Sequence, residues 1–234
     1  MKIIKYNRNN DIEVYFEEYD WSIKNISYQS FKKGTLSCPY EKRTYGVGYL
    51  GEGKYKTREN NKKTKAYIVW SDLLRRCYCI EYKNITYKDC RVCNEWHNFQ
   101  NFAEWFYKNY YDIDSQCMAL DKDILCKGNK IYSPNTCVFV PQRINNLFTK
   151  RQNRRGNNKI GVHEHKRDEV YEVNCNDCNG KQIYLGRYLN ENEAFQVYKQ
   201  YKEKIIKEVA DKYKDKIPNK LYEALYKYEV EITD

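Results

Sequence analysis

The sequence predicts an α+β chain with three parts: a small N-terminal β module, a strand–turn–strand–helix core preceded by helices, and a C-terminal three-stranded sheet packed on one helix. Three observations predict it. Short period-two apolar runs between turn residues fill positions 2–38 and return between 160 and 186. Apolar side chains at helical spacing mark 66–78, 96–110 and 190–213. Between these regions, residues 120–148 change period again.

The first strands are Lys2–Tyr6 and Ile12–Phe16, with a third extended run at Tyr28–Phe31, separated by Asn9-Asn10-Asp11 and followed by Lys33-Gly34. They form a module over 1–45. The Gly-rich stretch Tyr45–Gly53 has no Gly-Lys-Ser/Thr, which argues against a nucleotide phosphate loop. Ile68, Leu73, Leu74 and Cys77 then line one helical face, and Phe99, Phe102, Phe106 and Tyr110 another, both read as core. Leu120–Leu125 reads as a strand, Lys127–Lys130 as a turn and Val138–Val140 as a second strand. Pro141 opens a short helix over 142–148, at the position where proline is best tolerated. Strands follow at Ile160–Val162, Val170–Val173 and Gln182–Gly186, the last two joined by the hairpin signal Asn179-Gly180. Asn190 with Glu193 starts a helix whose inner face is Ala194, Val197, Tyr198, Tyr201, Ile205 and Val209. Pro218 ends it, and a terminal helix covers Leu221–Tyr228. The domain boundaries read as 1–45, 46–150, a basic linker 151–158, 159–213 and 214–234.

Composition bounds the function. With 234 residues, 41% hydrophobic and 16% aromatic, the chain can build real cores in one or two domains. A mean hydropathy of −0.97 and the lack of any 18-residue apolar run argue against a membrane span. The opening MKIIKYNRNNDIEVYF has no secretory apolar stretch, which points to a cytoplasmic protein. Its ten cysteines then read as reduced thiols or metal ligands rather than disulfides.

The formal charge of +10 is not spread evenly. Residues 141–167 carry net +7, whereas 111–140 carry −1 and 168–234 carry −3. A/T-rich codons account for many Lys and Tyr residues, but not for Arg143, Arg151, Arg154, Arg155 and Arg167. A block this basic matches a phosphate backbone, and a solvated linker is the competing reading.

Residues 120–146, LDKDILCKGNKIYSPNTCVFVPQRINN, resemble the ββα-metal core of HNH homing endonucleases, especially those of phages. The resemblance aligns Asp121 with the metal-binding Asp, Gly128-Asn129 with the loop, Pro134-Asn135 with the turn and Asn145 with the residue completing the metal site. It implies catalytic roles for Asp121, Lys122, Asn135 and Asn145. It also implies Mg2+, or another divalent cation, on Asp121 and Asn145. The family's general-base histidine is replaced by Lys122. A histidine accepts a proton near neutral pH, whereas a lysine does so only far below its ordinary pKa of about 10.4. Two outcomes follow from that replacement: a metal-dependent DNA nickase or endonuclease, or a scaffold that binds DNA without cutting it.

Residues 159–210 carry a second set of motifs: Ile160-Gly161-Val162, Tyr171-Glu172-Val173, Leu185-Gly186-Arg187-Tyr188, and Glu193-Ala194 with Tyr198. They resemble the Apetala-type DNA-binding domain, whose sheet enters the major groove of double-stranded DNA. The resemblance implies readers among Lys159, His163, His165, Lys166, Arg167, Tyr171, Tyr184 and Arg187. Backbone contacts would come from Arg75, Arg76, Arg143, Lys150, Arg151, Arg154 and Arg155.

Cys90-x-x-Cys93 and Cys175-x-x-Cys178 lie too far apart for a zinc ribbon, whose pairs are about 15–20 residues apart. Zn2+ on Cys90, Cys93 and Cys137, closed by Cys126 or Cys117, is one reading, since HNH proteins often carry structural zinc. Buried unliganded thiols are the other. A different class of function is a phage protein that acts in the host cell by binding a host protein through residues 1–45. The sequence leaves the oligomeric state open.

Overall fold

A computed structural model describes residues 1–82, 87, 89–149, 158–177, 179–232 and 234. It is mixed α+β, with several small sheets. The chain divides into two compact units, residues 1–109 with 130–134 and residues 110–129 with 135–234. Most of the strand–turn–strand–helix segment thus belongs with the C-terminal sheet, whereas the sequence groups it with residues 46–109.

In the first unit, β1 (Lys2–Arg8), β2 (Asp11–Phe16) and β3 (Trp21–Ile26) form an antiparallel sheet in that order, with Ile12 and Val14 buried. The third strand lies earlier than the sequence predicts. Tyr28–Phe31 instead begins α1 (Tyr28–Lys32), because the Ser27 hydroxyl accepts the Ser30 N–H at 3.2 Å and caps a helix there. A short hairpin of β4 (Arg58–Glu59) and β5 (Lys62–Lys63) leads into α2 (Lys65–Tyr78), whose first turn is capped by Thr64 through the Tyr67 N–H.

The buried stripe of α2 is Ala66, Trp70, Leu73 and Leu74, while Ile68 is 51% exposed. Ile68 lies two residues from both Ala66 and Trp70, roughly 200° around the helix, so burying those two turns it outward. The Trp70 indole N–H donates to the Trp96 carbonyl at 2.7 Å. β6 (Arg91–Val92) pairs in parallel with Ile131–Tyr132, and α3 (Phe99–Asn109) buries Phe99, Phe102 and Phe106 as its spacing predicts.

In the second unit, β7 (Met118–Asp121) runs antiparallel to β9 (Val138–Pro141), the Ile131–Tyr132 strand being β8. The first strand ends at Asp121 rather than Leu125. The Asp121 carboxylate Oδ1 accepts the N–H groups of both Asp123 and Ile124 at 2.7 Å, and this local turn competes successfully with the extended ladder. β9 feeds directly into α4 (Gln142–Asn145), which tightens into a 3-10 turn through Phe148.

β10 (Val162–His165), β11 (Val170–Asn176) and β12 (Gln182–Tyr188) form the predicted C-terminal sheet. β10 starts at Val162, not Ile160, because Gly161 takes a positive φ of 76°, a left-handed turn conformation rather than an extended one. In the β11–β12 turn it is Gly180, at φ 84°, that supplies the left-handed position. Asn190 caps α5 (Glu191–Tyr213) by accepting the Asn192 and Glu193 N–H groups at 2.8 and 3.4 Å. Ala194, Tyr198, Ile205 and Val209 are buried as predicted, joined by Phe195 and Ile206. After Pro218, α6 (Asn219–Tyr226) adds buried Leu221 and Leu225.

One core cluster joins Ile124, Val138, Val140 and Ile144 to Ile206, Val209, Leu221 and Leu225, so the β7–β9 pair packs on α5 and α6. A second cluster packs Val162 and Val173 onto Ala194 and Tyr198. Among the described residues no helix is long and apolar enough to cross a membrane.

Candidate nucleic-acid interface

Strand periodicity sorts the predicted readers. Val162, Val173 and Cys175 are buried with α5 on the inner face of the sheet. The neighbouring row pairs His163 with Glu172 and Glu172 with Arg187, and it faces away from the helix. His163, His165, Tyr184 and Arg187 are all exposed, Tyr184 at 57%. Lys166 and Arg167 are exposed in the turn between β10 and β11.

Tyr171 is a correction to the predicted readers. It shares the parity of Val173 and Cys175, and it packs half-buried against the inner cluster. Lys159 is also occupied: its ammonium lies 3.6 Å from the Glu191 carboxylate and bonds the Asn192 side chain, while its backbone N–H donates to Glu191 at 3.0 Å. It fastens the strand approach to the start of α5.

Two acids that sequence reading passed over organise the open face. Arg187 donates Nε and Nη2 to the Glu172 carboxylate at 2.8 and 2.7 Å, and Asp168 lies 3.8 Å from its Nη1. His165 Nδ1 is 3.3 Å from Asp168. The Glu172 hydrogen bond raises the Arg187 pKa still further and holds the guanidinium in one orientation. Only the strand register reveals that Glu172 and Arg187 are partners, and no single-sequence signal supplies it.

The predicted backbone contacts divide into three cases. Arg143 is exposed on α4 and bonds the Asn179 side-chain oxygen. Lys150, Arg151, Arg154 and Arg155, with the rest of the basic linker, lie outside the described residues. Arg75 and Arg76 belong to the first unit, where both guanidiniums grip Asp72. Burial alone would raise the Asp72 pKa, but the two arginines outweigh it and hold the carboxyl below its ordinary value.

A depressed carboxyl stabilises the fold above its unfolded pKa, and that contribution is lost as pH falls through the folded one. Thermal denaturation of wild type and Asp72→Asn should show the full difference above the ordinary carboxylate range and a shrinking one as pH falls below it. A difference in Tm that is unchanged down to the acid limit would contradict this assignment.

In the β7–β9–α4 segment, Lys122 is only 7% exposed along its side chain and is ion-paired with Asp123. Its carbonyl accepts the Asn129 side-chain N–H at 3.0 Å. Burial raises the Asp121 carboxyl above its usual range, while the two N–H bonds and Lys122 pull the other way. Asn145 is half-buried on α4, which packs on both β7 and β9, and Asn135 is exposed in the turn before β9. Cys90 and Cys93 belong to the first unit and Cys137 to the second, with Cys90 and Cys137 buried. Among the described residues, no group of three or more His, Cys, Asp or Glu side chains is placed to hold a metal ion. No protein-family model, curated protein or solved structure matches this chain.

Proposed function

We propose that this protein binds double-stranded DNA, reading the major groove with the open face of β10–β12 and holding the backbone with the +7 segment 141–167. One observation carries this reading. His163, Tyr184 and the Glu172–Arg187 pair share the exposed side of a sheet whose other side is packed on α5. Arginine recognises guanine O6 and N7, and glutamate accepts from the cytosine amino group, so an Arg–Glu row suits base edges. The neighbouring basic segment supplies the sequence-independent attraction to phosphate.

The scaffold beneath is read as HNH-like, and as a binder that does not cut. Asp121 uses Oδ1 to close its own turn, and the buried Lys122 ammonium is paired with Asp123. Two of the four residues that the resemblance casts in the chemistry, Asp121 and Lys122, therefore have structural partners. A metal-dependent nickase is the second reading. It is favoured by the direct passage of β9 into α4, which places Asn145 on an element packed against the strand of Asp121.

Fluorescence anisotropy on a labelled duplex tests the binding. Affinity should fall by roughly a hundredfold or more between 50 and 200 mM salt. Removing Tyr184 and Arg187 together should weaken specific binding by about 10- to 100-fold with the salt slope unchanged. Binding that ignores both salt and the double substitution would refute the interface. Incubation of supercoiled plasmid with Mg2+ or Mn2+ separates the two readings of the scaffold. Nicking that disappears in Asp121→Ala and Asn145→Ala would replace the non-cutting reading with the nickase.

A further inference from the structure

The inner stripe of α5 carries one charged interruption. Lys202 follows Tyr198 by one turn and precedes Ile206 by one turn, and all three line a cavity of about 860 Å3 within the second unit. Arg143, Asn174 and Asn176 also line it. Its two acids are already engaged. Asp177 accepts the N–H groups of Asn179 and Lys181 at 2.8 and 2.9 Å, and Asp234 accepts from the Lys127 ammonium at 2.8 Å.

Among the described residues, no hydrogen bond or ion pair engages the Lys202 ammonium. Burial lowers its pKa below that of an ordinary lysine. Cys175, which also lines the cavity, cannot neutralise it, because burial raises the thiol pKa and favours the uncharged form. A desolvated ammonium without a counter-charge is costly, and the fold keeps one facing a space large enough for a ligand.

We propose that this cavity is an anion site for a phosphate group, with Lys202 as its charged donor and the Arg143 guanidinium as a further donor. The phosphate belongs either to a free phosphorylated molecule of nucleotide size or to a nucleic-acid backbone. The site itself does not depend on the DNA reading, and only the choice of source does.

The test is thermal denaturation of the full chain against inorganic phosphate, with sodium chloride matched for ionic strength. Wild type should show a saturable rise in Tm that chloride does not reproduce. Lys202→Met should start from a higher Tm, having lost a partly desolvated charge, and should show no response to phosphate. Lys202→Arg should retain the response, and Lys202→Gln should lose it without the apolar gain of methionine. A wild type indifferent to phosphate, or a Lys202→Met protein that responds like wild type, overturns the proposal. Repeating the phosphate titration with saturating duplex identifies the source. Competition between phosphate and duplex assigns the site to a backbone phosphate, and independent binding assigns it to a free compound. If no duplex binds at all, the DNA reading fails while the phosphate result still stands or falls by itself.

Discussion

Alanine at position 161 is expected to destabilise the C-terminal sheet by about 3 kcal/mol or more, lowering Tm by on the order of 10 °C. Gly161 sits at φ 76°, where a side chain costs about 1–2 kcal/mol. The larger cost is steric. A Cβ there would lie 2.0, 2.2 and 2.5 Å from Cδ2, Cε2 and Cγ of Tyr198. That ring is 6% exposed and sits in the cluster that joins the sheet to α5, so making room would cost roughly another 1–3 kcal/mol. Gly180→Ala is the matched control, because its φ is 84° and nothing lies within 4 Å of its Cβ position. It should lose only the backbone cost. Equal losses at the two positions, read by near-ultraviolet circular dichroism on heating, would show that contact with Tyr198 is not what demands glycine at 161.

Trp70→Ala should produce a loss of similar or greater size in the first unit, about 3–5 kcal/mol. Trp70 is fully buried, and its ring centroid lies 5.7 Å from Tyr67 and 5.4 Å from Phe99. Removing it leaves a cavity and takes from the Trp96 carbonyl its indole donor. Trp70→Phe separates the two effects, since it keeps most of the ring and drops the hydrogen bond, for about 1–3 kcal/mol. Urea denaturation with unchanged m-values measures both. A phenylalanine variant as unstable as the alanine variant would mean that the bond, rather than the packing, dominates.

Much of the fold was legible because it rests on period. The stripe of α3, the cap at Asn190, the three C-terminal strands and the break at Pro218 all follow from side-chain spacing and turn chemistry. What failed was local competition. LDKDIL alternates like a strand, yet Asp121 is also spaced to capture two N–H groups ahead of it, and that turn prevails. Ser27 redirects Tyr28–Phe31 into a helix for the same kind of reason.

The candidate interface was legible as a list but not as a surface. His163 and Tyr171 look alike as readers in the sequence, and strand parity sends one to the open face and the other to the core. The Glu172–Arg187 pair emerges only once strands far apart in sequence are in register. Lys202 did leave a trace, as a charge where the stripe of α5 calls for an apolar residue.

The shared core of β7, β9, α5 and α6 also constrains how the chain is made. Ile124, Val138, Val140 and Ile144 share their core with side chains of α5 and α6, on the order of 80 residues later. At translation rates of about 5–20 residues per second, these side chains emerge roughly 4–16 s before their partners exist. During that interval the growing chain carries an apolar surface that it cannot bury by itself. A product interrupted between Phe148 and Ile205 is consequently not a smaller working protein, but a sticky fragment and a natural client for chaperones.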